Sequence, residues 1–414
     1  MDCPRKVKAL LKRERQEQLL EWYGRLGEEE QKRLLADIAR VDFGVVRQAG
    51  EAAPARDEKI TPYPSLTLAE IETRRDEYEK LGLEALAKGK LAAVVLAGGM
   101  GSRLGFEHAK GMYNLAQSGE LSIFEILIRN MEDNARKAGR PIPFYVMTSD
   151  RNHEEIVRFF EEHEYFGYPA DCVRFFRQEM APSLGEDKRT VLLEAKDRVS
   201  FTPNGTGGWY GSLRKAGLLR DMKKRGVEWI NVFSVDNVLQ QIGDPVFLGA
   251  VLAAGTHCGA KVIAKADPGE KVGVICRRGG RPSVVEYSEL SEEMRYEKNE
   301  AGEYVYHYGV TLNYLFDLRA TARRARKSIP VHPAHKKIPY CGPEGGTLVS
   351  EKENGYKLET FIFDILEFFP DVTACEVVRE KEFAPIKNAE GTDSPESARA
   401  LLLGVRPEWK KYFV

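Results

Sequence analysis

The sequence lacks the features of secreted, membrane-spanning and nucleic-acid-binding proteins. Its apolar runs fall short of the roughly 18 residues that a membrane helix needs, and its first residues contain no apolar signal core. Its six cysteines are scattered without a C-x-x-C pair, which predicts reduced thiols and a cytoplasmic location. The net charge of −1 argues against a nucleic-acid partner, because such partners need a basic surface. The seven histidines do not cluster at the spacing of zinc ligands.

A glycine-rich stretch after residue 90 is the most informative part of the chain. Leu91 to Ala97 is an apolar run of the length of a buried parallel strand. The run is followed at once by Gly98, Gly99 and Gly101. Glycines let the backbone approach a ligand closely, and successive N–H groups can form an anion-binding concavity. Because Arg103 and Lys110 follow, the stretch predicts a site for nucleotide phosphates.

Two better-known glycine motifs do not describe this stretch. The dinucleotide fingerprint G-x-G-x-x-G fails because Leu104 stands where its third glycine is required. The P-loop pattern G-x-x-x-x-G-K-[ST] fails because Lys110 precedes Gly111, and Met112 follows. A glycine turn without a ligand is the remaining alternative, and it leaves the two cations unexplained.

Strands and helices alternate from residue 88 onward. Ser122 caps a predicted helix that extends to about Ala138, and residues 143–148 have the composition of the next strand. Such alternation predicts a parallel sheet covered on both faces. Ligands of such sheets bind beyond the carboxyl ends of the strands, so the glycine loop lies at the expected ligand edge.

The two ends of the chain have a different character. Residues 1–87 show helical periodicity, interrupted by a predicted loop at residues 61–65. Residues 358–369 form a predicted amphipathic helix, whose apolar positions favour a place in the core. We therefore divide the chain into an N-terminal helical region (1–87), a catalytic domain (88–335) and a small C-terminal domain (336–414).

A second candidate site residue follows the apolar strand that begins at Trp229. The strand ends in Asp236 and Asn237. A carboxylate at the carboxyl end of a strand, facing a phosphate site, is well placed to hold Mg²⁺. The alternative is an acid that caps the next helix, because Asp244 and Pro245 begin one soon after.

These motifs resemble those of the eukaryotic-type UDP-sugar pyrophosphorylases, especially the UDP-N-acetylglucosamine pyrophosphorylases. Residues 96–105 match L-A-G-G-x-G-T-R-L-G with Ser102 in place of the threonine, and residues 109–112 match P-K-G-M with Ala109 in place of the proline. Shorter matches extend the resemblance over roughly residues 90–400. The resemblance implies an α/β fold: a Rossmann-like nucleotidyltransferase core with a mixed, mostly parallel sheet and a small C-terminal α+β domain.

The resemblance also implies a role for each matching residue. Arg103 would bind the β- and γ-phosphates of UTP, Asp236 would hold Mg²⁺, and Lys110 and Lys387 would stabilise charge around the α-phosphate. Lys336 would bind phosphate as well, with Lys337 as the substitute. The residues implied in binding the nucleotide are Ala97, Gly98, Gly99, Gly101, Ser102, Gln178 and Gly205, of which Gln178 and Gly205 would contact uracil.

The chain departs from the family pattern in the sugar pocket. Glu286 matches the glutamate that accepts hydrogen bonds from sugar hydroxyls. Thr206 and Val310, however, stand where the family has asparagines. These two departures leave the sugar specificity open.

The resemblance predicts a uridylyltransferase that forms UDP-N-acetylglucosamine and pyrophosphate from UTP and N-acetylglucosamine-1-phosphate. One alternative is a pyrophosphorylase of broader or hexose-1-phosphate specificity, and another is an inactive sensor of sugar nucleotides. The predicted partners are these small molecules, without nucleic acid or membrane, and the predicted state is a monomer or weak homo-oligomer.

Overall fold

The computed structural model describes residues 3–51, 58–325 and 329–413. The chain forms two compact units. Unit 1 contains Met1–Asp57, Glu179–Gly208 and Ile329–Ile362, and unit 2 contains Glu58–Gln178, Trp209–Ser328 and Phe363–Val414. Each unit is therefore assembled from separated segments, whereas the regions expected from the sequence are continuous.

The regular elements are numbered in chain order. The α-helices are α1 (Arg5–Glu14), α2 (Glu28–Arg40), α3 (Phe43–Gly50), α4 (Leu68–Thr73), α5 (Arg75–Ala87), α6 (Ile123–Ala138), α7 (His153–Glu162), α8 (Trp209–Lys215), α9 (Leu218–Lys224), α10 (Pro245–Ala254), α11 (Glu292–Tyr296), α12 (Leu318–Arg324), α13 (Arg379–Glu382) and α14 (Pro395–Val405). The strands are β1 (Ile60–Pro62), β2 (Ser65–Leu66), β3 (Leu91–Leu96), β4 (Phe144–Thr148), β5 (Val173–Arg177), β6 (Met180–Pro182), β7 (Leu193–Ala195), β8 (Arg198–Val199), β9 (Phe201–Pro203), β10 (Trp229–Ser234), β11 (Cys258–Ala264), β12 (Val274–Arg278), β13 (Arg281–Val285), β14 (Tyr308–Asp317), β15 (His332–Lys336), β16 (Tyr340–Cys341), β17 (Thr347–Leu348), β18 (Gly355–Glu359) and β19 (Thr373–Glu376).

Unit 2 is built on one large sheet. Its main path runs β2-β19-β11-β14-β10-β3-β4-β5. β14 is antiparallel to β11 and β10, and the other pairs along this path are parallel. β12 joins β14, β13 and β1 in antiparallel pairs at one side. The sheet is thus mixed and mostly parallel, which confirms the predicted fold class.

The central elements of unit 2 follow directly from their sequences. Every residue of β3 is buried, as expected of a strand covered on both faces. Helix α6 begins where the Ser122 hydroxyl accepts a hydrogen bond from the Glu125 N–H, and it ends at Gly139, whose φ of +68° is the left-handed conformation of a helix stop. The predicted helix 122–138 is therefore confirmed with its cap.

Two local predictions are wrong in part. The expected loop at 61–65 contributes to strands β1 and β2, because the short segment pairs with β12 on one side and with β19 on the other. The expected helix at 358–369 begins instead as the end of β18, which pairs with β15, and continues as a 3₁₀ helix from Ile362 to Phe368. In both segments, main-chain pairing with distant strands overrides the local pattern.

Unit 1 consists of helices α1–α3 and four two-stranded sheets: β6 with β9, β7 with β8, β15 with β18, and β16 with β17. Its own hydrophobic core includes Leu11, Leu34, Ile38, Leu184 and Leu358. The residues of this core come from all three segments of the unit, which explains why the N-terminal helices group with residues 179–208 and 329–362.

None of the helices in the described ranges is long and apolar enough to cross a membrane. Five of the six cysteines are buried and the sixth, Cys341, is half-buried, and all are free thiols. The structure therefore pairs none of these cysteines with another.

Candidate active site

The carboxyl ends of β3 and β10 form the edge at which the predicted site residues gather. The two strands are parallel neighbours, with Ser234 opposite Leu96. Gly98 and Asp236 follow the respective strand ends closely, so the register brings them to the same edge of the sheet. This is where ligands of open α/β sheets bind.

The glycine loop after β3 is held by hydrogen bonds to its own backbone. The Gly101 N–H donates to the His108 carbonyl at 2.8 Å, and the Lys110 N–H donates to the Gly99 carbonyl at 3.1 Å. The Asn152 amide donates to the Ala97 carbonyl at 3.2 Å. A 3₁₀ helix starts at Ser102, and the N–H groups at a helix start have no partner inside the helix. The loop is therefore fixed, with backbone donors left for an anion.

The three glycines of the loop differ in how much space surrounds them. A Cβ at Gly101 would lie 2.7 Å from the Phe106 side chain, so packing alone accounts for this glycine. A Cβ at Gly98 would lie 2.6 Å from the Gln178 Oε1 atom, which places the two predicted nucleotide-binding residues in contact. A Cβ at Gly99 would meet nothing within 4 Å. The open space over Gly99 is therefore available to a ligand.

Replacing Gly99 with alanine tests this interpretation. We expect the free energy of unfolding to stay the same or rise by up to about 1 kcal/mol, because alanine reduces the freedom of the unfolded chain and the folded site has room for the methyl group. We expect the KM for UTP to rise at least about tenfold, equivalent to about 1.4 kcal/mol of lost binding. Urea unfolding and steady-state kinetics measure the two quantities.

Gly404 supplies the matched control for that experiment. It lies in α14, and its Cβ would also meet nothing within 4 Å. Gly404→Ala should therefore leave the KM for UTP unchanged. Equal KM values in the Gly99→Ala variant and the unchanged protein would show that no ligand occupies the space over Gly99.

Lys110 is the centre of a charged cluster that joins three of the predicted catalytic groups. Its ammonium donates to the Ile386 carbonyl at 3.2 Å. Burial lowers the pKa of Lys110, an effect that Asp236 opposes and that the positive charges of Arg103 and Lys387 reinforce. Asp236, Arg103 and Lys387 thus each lie close enough to Lys110 to interact with it electrostatically.

A short segment from residue 383 to 387 positions Lys387 against the Asp236 loop. The Ile386 N–H donates to the Asp236 carbonyl at 2.9 Å, and the Ala384 N–H donates to the Asn237 side chain at 2.9 Å. The Asp236 carboxylate itself accepts from the Ser234 hydroxyl. Main-chain pairing therefore fixes the predicted metal ligand and a predicted phosphate-binding lysine relative to each other.

Arg103 and Lys387 both face a cavity of about 960 Å³ in unit 2, a size typical of small-molecule pockets. Lys387 makes an ion pair with Asp393 at 3.3 Å, at the cavity wall. Arg103 is exposed and makes no ion pair with any residue in the described ranges. A polyanionic ligand would thus meet one guanidinium already free to bind and one lysine that Asp393 holds in place.

Glu286 and Val310 lie together on the other flank of the same sheet. A Cβ placed on Gly273 would lie 3.8 Å from the Glu286 Oε1 atom and 3.7 Å from a Val310 methyl group. β14 pairs Asn313 with Phe233, so Val310 extends beyond the end of β10. The structure therefore brings these two predicted sugar-binding residues together, with a half-buried aliphatic side chain next to the carboxylate.

The remaining predicted site residues belong to unit 1. Gly205 has a φ of +84°, and its Cβ would lie 2.4 Å from the Thr360 carbonyl oxygen, so glycine is required there by the fold. The Thr206 hydroxyl accepts a hydrogen bond from the Ile362 N–H at 3.1 Å. Lys336 is exposed at the end of β15, and Lys337, which follows it, is exposed as well. Their roles toward a ligand stay predictions.

The sequence reasoning missed two asparagines that support the site. Asn237 is 1% exposed, and its amide donates to the Glu382 carbonyl at 2.8 Å while its oxygen binds the Ala384 N–H. Asn152 is fully buried and braces the glycine loop. The only sequence signal for Asn237 is its position directly after the strand-end aspartate. Asn152 has no local signal in the sequence.

The fold and these residues define an α/β protein with a cluster of cationic side chains at the carboxyl edge of its sheet. Residues 46–405 match the family described as UTP–glucose-1-phosphate uridylyltransferase. The chain belongs to this family.

Individual relatives cover most of the chain. The human UDP-N-acetylhexosamine pyrophosphorylase-like protein 1 is 36% identical over 430 residues, covering 97% of this chain and 84% of the relative. UDP-N-acetylglucosamine diphosphorylase 2 of Arabidopsis thaliana is 36% identical over 421 residues, covering 95% and 82%. The crystal structure of the Trypanosoma brucei uridine diphosphate N-acetylglucosamine pyrophosphorylase in complex with an inhibitor matches with a TM-score of 0.80 at 28% identity, covering 99% and 87%.

Proposed function

We propose that this protein is a uridylyltransferase that forms UDP-N-acetylglucosamine and pyrophosphate from UTP and N-acetylglucosamine-1-phosphate. The observation that carries the proposal is the cluster of Arg103, Lys110, Lys387 and Asp236 beside the glycine loop. The names of the relatives supply the sugar, because both the plant relative and the trypanosome structure are named for UDP-N-acetylglucosamine.

The reaction needs a cationic site more than it needs a side-chain nucleophile. The phosphate of the sugar is already ionised near neutral pH, and its oxygen attacks the α-phosphorus of UTP in line with the departing pyrophosphate. Two polyanions must approach, and negative charge must move onto the leaving group. Positioning and electrostatic stabilisation by fixed cations meet both demands.

Each cation of the cluster has its own role in binding the phosphates. Arg103 and the backbone N–H groups of the glycine loop bind the β- and γ-phosphates. Lys110, held by the Ile386 carbonyl, and Lys387, held by Asp393, neutralise charge around the α-phosphate and the bridging oxygen. When substrate binds, Lys387 turns from its carboxylate partner to the phosphate oxygens, which accept charge-assisted hydrogen bonds as well.

Base and sugar recognition follow from the neighbouring groups. The Gln178 amide contacts the glycine loop, and an amide carries both the donor and the acceptor that an imide edge such as uracil's requires. Glu286 accepts hydrogen bonds from sugar hydroxyls, and Val310 offers an aliphatic surface next to it. By resemblance to the family, Gly205, Thr206 and Lys336 are also proposed to bind substrate.

The residues around Asp236 fit a magnesium ion. No group of three or more His, Cys, Asp or Glu side chains that could enclose a metal occurs among residues 3–51, 58–325 and 329–413. A single carboxylate suits Mg²⁺, because that ion is usually bound by one or two carboxylates together with substrate phosphates. Asp236 would hold it, and the bound ion would neutralise charge on the phosphate oxygens.

The partners, compartment and oligomeric state of the protein form a further part of the proposal. The net charge of −1 supports small-molecule rather than nucleic-acid partners. The six free thiols support a reducing, cytoplasmic compartment. We further propose that the protein is a monomer or a weak homo-oligomer, without a membrane partner.

Pyrophosphate release from UTP and Mg²⁺ with a panel of sugar-1-phosphates tests the proposed function. The panel contains the 1-phosphates of N-acetylglucosamine, N-acetylgalactosamine, glucose and galactose. We expect the highest kcat/KM with N-acetylglucosamine-1-phosphate. Comparable values with glucose-1-phosphate would show that Thr206 and Val310 have broadened the pocket, and absence of release with every sugar would leave the sensor alternative.

A further inference from the structure

A buried lysine lies next to the segments that carry the phosphate site. Lys261 on β11 has a side chain that is 1% exposed. Its ammonium donates to Asp244 at 2.7 Å and to Glu382 at 2.5 Å, and it lies 3.5 Å from the Gln241 carbonyl. A lysine and two carboxylates in the interior are unusual, because burying a charge is unfavourable unless it is paired and hydrogen-bonded.

The two carboxylates stand at the ends of the two active-site segments. Asp244 ends the loop that begins at Asp236, and it caps helix α10 through the Val246 N–H at 2.9 Å. Glu382 ends α13 and directly precedes the segment 383–387 that carries Lys387. Lys261 thus links both segments to one residue of the central sheet.

Further hydrogen bonds carry this link into the site. Glu382 accepts from the Gln241 N–H at 3.4 Å through its carboxylate and from the Asn237 amide at 2.8 Å through its carbonyl. Asn237 is the neighbour of Asp236 and also binds the Ala384 N–H. A displacement of Glu382 would therefore move the Asp236 loop and the Lys387 segment together.

The charge states agree with this arrangement. Burial acts to lower the pKa of Lys261, but the two carboxylates raise it above its ordinary value. Burial acts to raise the pKa of Asp244, which Lys261 and the α10 backbone hold below its ordinary value. Burial raises the pKa of Glu382, and the attraction of Lys261 offsets only part of that rise. The ammonium is thus charged and shared between both acids.

We propose that Lys261 is a positioning residue for uridylyl transfer, which holds the Asp236 loop and the Lys387 segment in register through Asp244 and Glu382. The proposal rests on the proposed function, since it concerns the same phosphate site. Lys261 acts through these neighbours and touches no substrate. The competing explanation is that the cluster serves the stability of the fold alone.

A charge-free cluster separates the two explanations. The triple variant Lys261→Met, Asp244→Asn, Glu382→Gln keeps the volume of each side chain, retains a helix-capping residue at 244, and leaves no unpaired buried charge. We expect this variant to fold, with kcat reduced at least about tenfold at a temperature well below its Tm. The single variant Glu382→Gln keeps Lys261 and should lower kcat at least about threefold.

Double-mutant cycles show through which charged group the triple variant lowers kcat. In the Lys387→Ala background the triple variant should lower kcat further by clearly less than tenfold, because one of the two charged groups that the cluster positions is already gone. In the Arg103→Ala background it should lower kcat by the full tenfold, since Arg103 lies on the separate glycine loop. A stability effect alone would produce the same factor in both backgrounds.

The ionic cluster of Tyr145, Asp221 and Arg225 in the same unit is the matched control. Asp221 accepts from Tyr145 at 2.6 Å and from Arg225 at 3.0 Å. The variant Asp221→Asn, Arg225→Met should lower Tm and leave kcat within twofold of the unchanged protein. A triple variant or Glu382→Gln variant with unchanged kcat, or equal factors in the two cycles, would overturn the proposal. The unchanged protein, assayed alongside, shows whether the proposed function itself holds.

Discussion

Replacing Arg103 or Lys387 with alanine should lower kcat for pyrophosphate release by roughly 10²-fold or more. Each residue supplies a positive charge to phosphate oxygens on which negative charge increases in the transition state, and loss of one such donor typically costs that factor. The fold should survive, because Arg103 is exposed and the Lys387–Asp393 ion pair is partly exposed and contributes at most about 1 kcal/mol.

Matched controls keep this result specific. Arg158 on α7 and Lys80 on α5 are exposed residues of the same types in unit 2 and are not among the predicted site residues. Arg158→Ala and Lys80→Ala should retain full kcat. Unchanged turnover in both the Arg103→Ala and the Lys387→Ala variants, with folding verified by thermal melts, would refute the assignment of the phosphate site.

Gly249→Ala should destabilise the protein by about 3 kcal/mol or more. Helices α5 and α10 touch backbone to backbone: a Cβ at Gly249 would lie 1.8 Å from the Tyr78 carbonyl oxygen, and one at Gly82 would lie 1.9 Å from the Pro245 carbonyl oxygen. The colliding atoms belong to the main chain, so no side chain can rotate away. The helices must separate, and overpacking of this kind exceeds the gain in helix propensity from alanine.

Urea unfolding of Gly249→Ala and Gly82→Ala measures this effect. The control is again Gly404→Ala, where the added methyl group has open space and should raise stability by up to about 1 kcal/mol. A loss below about 1 kcal/mol in both α5–α10 variants would mean that the helices tolerate a wider separation than the close backbone contact indicates.

The proximity of the glycine loop, Lys110 and Asp236 was predictable because its signals in the sequence are local. The apolar run before Gly98 and the strand before Asp236 each end at the carboxyl edge of a parallel sheet, and parallel neighbours bring their ends together. The cations at 103 and 110 follow the end of the first strand at Leu96 in the same stretch of chain. Lys387 lies far along the chain, and only its resemblance to a family motif placed it at the site.

The pairing of strands that lie far apart in the chain could not be predicted from the local sequence pattern. Residues 61–65 contribute to strands because they pair with partners more than two hundred residues away, such as Arg277 opposite Thr61. Residues 355–359 form a strand because they pair with β15. The grouping of residues 179–208 and 329–362 with the N-terminal helices likewise follows from a shared core rather than from any boundary composition.

Buried polar groups were the other class of features that the sequence did not reveal. Lys261 lies within an apolar strand, where a lysine looks like an exposed position, yet the two carboxylates that neutralise it come from residues 244 and 382. The same holds for Asn237 and Asn152, because their amides stabilise the site by donating to carbonyls that are distant in sequence. Such partners become visible only in three dimensions.

The most direct test of the central claim is the product balance of one reaction. The protein is mixed with UTP, Mg²⁺ and N-acetylglucosamine-1-phosphate, and UDP-N-acetylglucosamine and pyrophosphate are quantified by chromatography over time. We expect the two products to appear in equal amounts, and neither to form when the sugar phosphate is omitted. Consumption of UTP without UDP-N-acetylglucosamine, or no turnover by the folded protein, would contradict the account.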